Sequence, residues 1–139
     1  MDLKKLLLKA INTSIKGGQA ILKIYETDFD VDYKQDNSPL TIADKRCNEI
    51  IESDLMSTSI PILSEEGKHT DFNERKKWKY LWLVDPLDGT KEFVKKNGEF
   101  TVNIALIKNG KPIIGVIYVP VSGLIYFGMK KLGSFKCKC

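Results

Sequence analysis

An α+β fold, with two N-terminal helices packed on a largely antiparallel sheet, is predicted by three features of this 139-residue chain. Apolar residues recur at helical spacing over residues 2–25 and again from Thr41. Strand-length apolar runs follow Pro61, and from Phe100 onward they alternate and are punctuated by turn residues. Two helices followed by a strand meander, with no repeat and no linker, make one domain in which the helices cover one face of the sheet.

The first helix is marked by Leu3, Leu6, Leu7, Ala10, Ile11, Ser14, Gly18, Ile21 and Tyr25, with Gly17-Gly18 as a place for close packing. Residues 28–39 are polar, and Asp36-Asn-Ser-Pro39 is expected to stop regular structure there. The second helix starts at Thr41 and is expected to bury Ile42, Ala43, Cys47, Ile50, Ile51 and Leu55 before Pro61. Ile60–Leu63 reads as a short buried strand leading into Ser64-Glu65-Glu66-Gly67, and residues 67–79 as a charged surface loop. Tyr80–Val84 is a second buried strand, ending in a stiff turn at Asp85-Pro86. Phe100, Val102, Ile104 and Leu106 share one face of a strand that turns at Asn109-Gly110 into Ile113–Val119. Leu124–Gly128 is one more strand, and Gly133-Ser134-Phe135 opens another.

Composition is that of an ordinary globular chain: 42% hydrophobic, 29% charged, ten glycines and five prolines. That excludes collagen-like, low-complexity and disordered classes. The net charge of +4 comes mainly from lysines spread along the chain, without an arginine cluster interleaved with aromatics, so no nucleic-acid partner is expected. Cys47, Cys137 and Cys139 have no framework or metal-ligand spacing and are expected to be reduced thiols. Lys9 and Asn12 interrupt the N-terminal apolar stretch too early for a signal peptide. No transmembrane segment is expected, and the reading is a cytoplasmic protein, with peripheral attachment to an inner membrane left open.

The segment that carries chemistry is Trp82-Leu-Val-Asp-Pro-Leu-Asp-Gly-Thr-Lys-Glu-Phe93. A buried strand delivers two carboxylates, Asp85 and Asp88, and Gly89-Thr90 then opens a short helix. Oxygen ligands on a stiff backbone suit a hard cation such as Mg²⁺, and free N–H groups suit phosphate. A plain Asp-Pro turn with Asp88 as a helix cap fits the same residues. Glu65 and Glu66 end a neighbouring strand; alone they read as a solvated loop, but beside Asp85 and Asp88 they call for cations. Thr41-Ile-Ala-Asp44 is a capping-box pattern, and Asp44 could also orient Thr90 toward an attacking water. His69 receives no role, and Trp78, Tyr80, Trp82, Phe100 and Tyr118 read as packing residues.

These residues resemble the lithium-sensitive, magnesium-dependent phosphatase superfamily of inositol monophosphatase and fructose-1,6-bisphosphatase, whose signature is an acidic pair followed by D-P-x-D-G-[ST]. The stretch from Trp82 to Pro120, with Lys91-Glu-Phe93 after the D-G-T, is most similar to the CysQ-type 3′(2′),5′-bisphosphate nucleotidase branch. The likeness runs from the first helix to about Phe135. It implies the N-terminal part of an αβαβα sugar-phosphatase fold over residues 1–139, with a C-terminal domain absent. It implies Glu65, Asp85, Asp88 and the Leu87 carbonyl as metal ligands for two or three Mg²⁺ ions, and Asp88, Gly89 and Thr90 as substrate-binding positions. Asp44 and Thr90, with Glu65, would be the catalytic residues that activate water. The implied substrate is a nucleotide bisphosphate, 3′-phosphoadenosine 5′-phosphate, cleaved to AMP and phosphate. Family members are about twice as long and carry a later W-D-x-[AT] motif that does not occur here. The expectation is therefore impaired activity in this chain alone, with self-association or a separate C-terminal half as partner. An inositol or sugar phosphate phosphatase and a non-catalytic metal-binding fragment are the alternatives.

Overall fold

The computed structural model describes residues 1–35, 39–68 and 70–139. Its elements in order are α1 (Leu3–Tyr25), β1 (Val31–Tyr33), β2 (Pro39–Thr41), α2 (Ile42–Leu55), β3 (Ile62–Ser64), α3 (Phe72–Arg75), β4 (Tyr80–Asp88), α4 (Thr90–Val94), β5 (Thr101–Lys108), β6 (Lys111–Val119), β7 (Leu124–Met129) and β8 (Gly133–Lys138). β1 and β2 pair as a small antiparallel hairpin, and the main sheet runs β3-β4-β5-β6-β7-β8. Only its β3–β4 pair is parallel among the described residues; the remaining pairs are antiparallel. The α+β class expected from the sequence is the class observed.

One layer of helices covers one face of this sheet, α1 over β5 and β6 and α2 over β4. Alternation does the sorting: Trp82, Val84, Val102, Ile104, Leu106, Val116 and Tyr118 are buried under the helices with Leu7, Ile21, Ile51 and Leu55. Gly18 is needed where α1 meets β6, since a Cβ there would stand 2.3 Å from Cε2 of Tyr118. Asp2 starts α1 by accepting from the N–H groups of Lys4 and Lys5 at 3.1 and 3.3 Å. Trp82 is fully buried, and its indole N–H donates to Thr58 Oγ1 at 3.0 Å.

The structure corrects several expectations. Residues 31–33 form a strand inside the stretch read as irregular, while Asp36–Ser38 of the supposed break, and His69, lie outside the described residues. Ile42 is 59% exposed, because the buried stripe of α2 is Ala43, Cys47, Ile51 and Leu55 at four-residue spacing and Ile42 falls off it. β3 starts two residues later than expected and ends one later, and a single helical turn, α3, interrupts the charged loop. β4 does not stop at Val84 but runs through Pro86 to Asp88.

Among the described residues no helix covers the other face of the sheet. It carries Leu83, Ile117 and Tyr126 at 46%, 45% and 40% exposure and forms a broad apolar trough of about 1390 Å³. All three cysteines are free; Cys47 is buried and donates to the Pro86 carbonyl at 3.2 Å. Among the described residues, no helix is long and apolar enough to cross a membrane.

Candidate active site

The two aspartates of the Asp-Pro-Leu-Asp segment are three residues apart, and in a regular strand they would point to opposite faces. The register prevents this. Asp85 pairs with Asn103 and Asp88 with Thr101, so three steps on β4 match two on β5, and the extra residue is a bulge. Pro86 fits there because it has no N–H to give to the ladder. The bulge, rather than a strand-ending turn, returns both aspartates to the uncovered face. Asn103 marks the convergence, donating from Nδ2 to Asp88 Oδ2 at 3.1 Å while its own Oδ1 accepts from Thr101 Oγ1 at 2.8 Å.

The parallel pairing of β3 with β4 puts both C-terminal ends at one end of the sheet. Glu65, the first residue past β3, is anchored there by its N–H on the Val84 carbonyl at 3.1 Å. Its carboxylate faces Asp85. The Asp85 carboxyl is pushed up to about 8, first by burial and then by Glu65, Asp88 and Glu66. Lys34, from the β1–β2 hairpin, reaches in with Nζ 2.5 Å from Glu66 Oε1 and 3.9 Å from Glu65 Oε1. Burial works to lower the Lys34 pKa, but Glu66, Glu65 and Asp44 outweigh it and the net direction is up.

Asp44 is fully buried at the start of α2 and does two things at once. One carboxylate oxygen accepts from the Thr41 N–H at 2.8 Å and the Thr41 hydroxyl at 2.7 Å, capping the helix; the other accepts from Thr90 Oγ1 at 2.9 Å. Thr90 Oγ1 is also 3.3 Å from the Leu87 carbonyl. Gly89 makes this turn possible: its φ is 92°, and a Cβ would lie 3.0 Å from the Glu99 carbonyl oxygen. Gly89, not Asp88, occupies the cap position of α4. Burial pushes the nearby Cys47 thiol up, with Asp44 and Asp85 adding to the effect, so it is not a nucleophile.

The structure therefore brings Asp44, Leu87 and Thr90 together, and sets Glu65 and Asp88 around Asp85. Asp85 Oδ1 is buried and, among the described residues, has no hydrogen-bond partner. A divalent cation fits that orphaned oxygen and would relieve the repulsion among the carboxylates. Among the described residues no three acidic, histidine or cysteine side chains close a shell by themselves. Sequence reasoning missed Lys34 and Asn103. The lone amide in the apolar β5 run was a signal for Asn103; Lys34 had none, since only the hairpin carries it to Glu66.

The chain matches the Inositol monophosphatase family over residues 2–139. It is 48% identical over 127 residues to the 3′(2′),5′-bisphosphate nucleotidase CysQ of Buchnera aphidicola, covering 88% of this chain and 48% of that one. The Escherichia coli K12 CysQ is 50% identical over 113 residues, covering 78% and 46%. Its backbone superposes on the crystal structure of CysQ from Bacteroides thetaiotaomicron with a TM-score of 0.86 at 51% identity, covering 97% of this chain and 49% of that one. The chain thus spans about half the length of the curated relatives it matches.

Proposed function

The chain belongs to the inositol monophosphatase family, and from that premise we propose that it is the metal- and phosphate-binding half of a 3′(2′),5′-bisphosphate nucleotidase. The observation that carries the reading is the bulged Asp85–Thr90 segment beside Glu65, with Thr90 hydrogen-bonded to the buried Asp44. The 48–51% identity to CysQ enzymes supports the nucleotide over other phosphomonoesters.

Glu65, Asp85, Asp88 and the Leu87 carbonyl would hold the Mg²⁺ ions. When bound, Mg²⁺ supplies the positive charge that makes water nucleophilic near neutral pH and neutralises the phosphoryl and leaving oxygens. Thr90 donates its hydroxyl hydrogen bond to Asp44, which leaves the hydroxyl oxygen free to accept from an attacking water and hold it in line. Asp44, buried and fixed by two donors from Thr41, keeps the Thr90 hydroxyl in that orientation. The left-handed Gly89 admits a phosphoryl group close to the backbone. Water adds to phosphorus as the bond to the ribose 3′ oxygen breaks, and that oxygen leaves as the hydroxyl of AMP.

A second half like that of the relatives, seated on the uncovered face, would supply the substrate wall and a further metal ligand. Phosphate release from 3′-phosphoadenosine 5′-phosphate and from inositol 1-phosphate tests this. The chain is assayed alone and co-expressed with the second half of the Bacteroides CysQ, with Mg²⁺, and with lithium added. The expected result is at most trace turnover alone and, with the second half, lithium-sensitive turnover that favours the nucleotide and is lost in Asp88→Asn. Robust turnover by the pure monomer, or preference for inositol 1-phosphate, would overturn it.

A further inference from the structure

The lysines that look dispersed in the sequence are gathered by the sheet topology. No aspartate or glutamate follows Glu99, while Lys108, Lys111, Lys130 and Lys131 all do. The pairings Tyr80↔Lys108, Lys108↔Lys111 and Ile114↔Met129 put the start of β4, the β5–β6 turn and the end of β7 at one end of the sheet. Two backbone bonds tighten this end: Asn109 N–H to the Lys79 carbonyl at 2.8 Å, and Lys130 N–H to the Ile113 carbonyl at 2.9 Å. Lys79 stands six positions before Asp85 along the extended chain, so this positive end lies about 20 Å from the carboxylates.

Within it is a cavity of about 370 Å³ whose walls include Arg75, Lys76, Lys77, Trp78, Lys79 and Asn109, Arg75 standing between this cavity and the trough of the uncovered face. That volume is in the range that holds a small ligand. Among the described residues, neither these four cations nor Lys108 and Lys111 enter any ion pair. Lys79 and Lys108 instead hold their ammonium groups 5.8 and 5.7 Å from the centre of the Tyr80 ring. Arg75 Nε is buried and has no acceptor among the described residues, although a buried guanidinium N–H ordinarily finds one. Four cationic residues along the wall of one cavity, with an unmet buried donor among them, are the inverse of the carboxylate end and suit a ligand with several adjacent negative oxygens.

We propose that this cavity is a second anion site, distinct from the carboxylate site, that takes a linear oligophosphate. Arg75 supplies the oriented, partly buried donor, and Lys76, Lys77 and Lys79 supply point charges. Trp78 offers a ring against which a nucleobase can stack, so the oligophosphate can belong to a nucleoside triphosphate or be inorganic.

The test is calorimetric titration of the 139-residue chain with sodium tripolyphosphate and, separately, with ATP. It is done in EDTA at about 150 mM NaCl, where carboxylates without metal repel anions and the other site is silent. The expected result is saturable 1:1 binding of at least one probe, weakened tenfold or more by Arg75→Gln. Asp85→Asn, and the charge-matched Lys4→Gln/Lys5→Gln pair on α1, should leave it within twofold. ATP binding tenfold tighter than tripolyphosphate identifies the nucleotide as the ligand; equal affinity identifies the oligophosphate alone. If Arg75→Gln loses its circular dichroism, the exposed pair Lys76→Gln/Lys77→Gln carries the same test. Absence of saturation, or equal weakening by the α1 pair, would overturn the proposal, because diffuse attraction to a basic surface would then account for the binding.

Discussion

Replacing Asp85 by asparagine should stabilise the metal-free chain while destroying its response to Mg²⁺. In the folded chain the Asp85 carboxyl titrates near 8 instead of 3.8, because of burial and the charges of Glu65, Asp88 and Glu66. A raised acid favours the folded state while it is protonated. Its contribution is therefore complete below about pH 4 and drains away as pH climbs from 4 to 8, because the unfolded chain then binds fewer protons than the folded one. Each pH unit in that window removes at most about 1.4 kcal/mol. The whole window is a ceiling on the order of 5 kcal/mol, and solvent screening of this partly exposed carboxyl, with its coupling to the neighbouring carboxylates, brings the expected gain for Asp85→Asn at pH 8 to roughly 1–3 kcal/mol. For a chain of this size that is a rise of about 3–10 °C in Tm. Melting is followed by circular dichroism in EDTA at about pH 5 and pH 8, then with Mg²⁺. The natural chain should lose stability between the two pH values and regain it with Mg²⁺; the variant should be flat and indifferent to the metal. A variant less stable than the natural chain at pH 8 in EDTA would refute the reasoning, since the Asp85 charge would then be a net stabiliser without metal.

Four further outcomes follow from the packing and the charges. Asp54 accepts from Thr13 Oγ1 at 2.5 Å and Lys16 Nζ at 3.1 Å; burial opposes ionisation, but these donors and the charges of Lys9 and Lys16 hold its pKa below the usual value. Its stabilisation is present above about pH 4 and lost as pH falls further, so Asp54→Asn should flatten the acid limb of a pH–Tm curve. Gly18→Ala should cost about 1–3 kcal/mol in urea unfolding, because its Cβ would meet the Tyr118 ring at 2.3 Å. Thr90→Val should cost about 1–2 kcal/mol by leaving one oxygen of buried Asp44 unpaired, and should abolish turnover in any active assembly, as read by the assay above. Leu83→Gln with Ile117→Thr should slow aggregation measured by light scattering without lowering Tm by more than a few degrees, because both side chains are on the uncovered face.

Much of this molecule was legible along the chain. The stripe from Leu3 to Tyr25, the alternation of Val102, Ile104 and Leu106, and the Asn109-Gly110 turn report local geometry, because helical and strand periods are written in neighbouring residues. So was the Asp85–Thr90 motif, and with it the family. Tertiary pairing decided the rest. The bulge that turns Asp85 and Asp88 to one side exists only because β5 offers two residues against three. Glu65 meets Asp85 because β3 is parallel to β4, and Lys34 meets Glu66 because a separate hairpin reaches across. Lysines scattered from position 76 to 131 become one positive end because successive antiparallel strands return the chain to the same edge. Periodicity tells a residue which face it is on. Only the pairing of strands distant in sequence tells it which charges it faces.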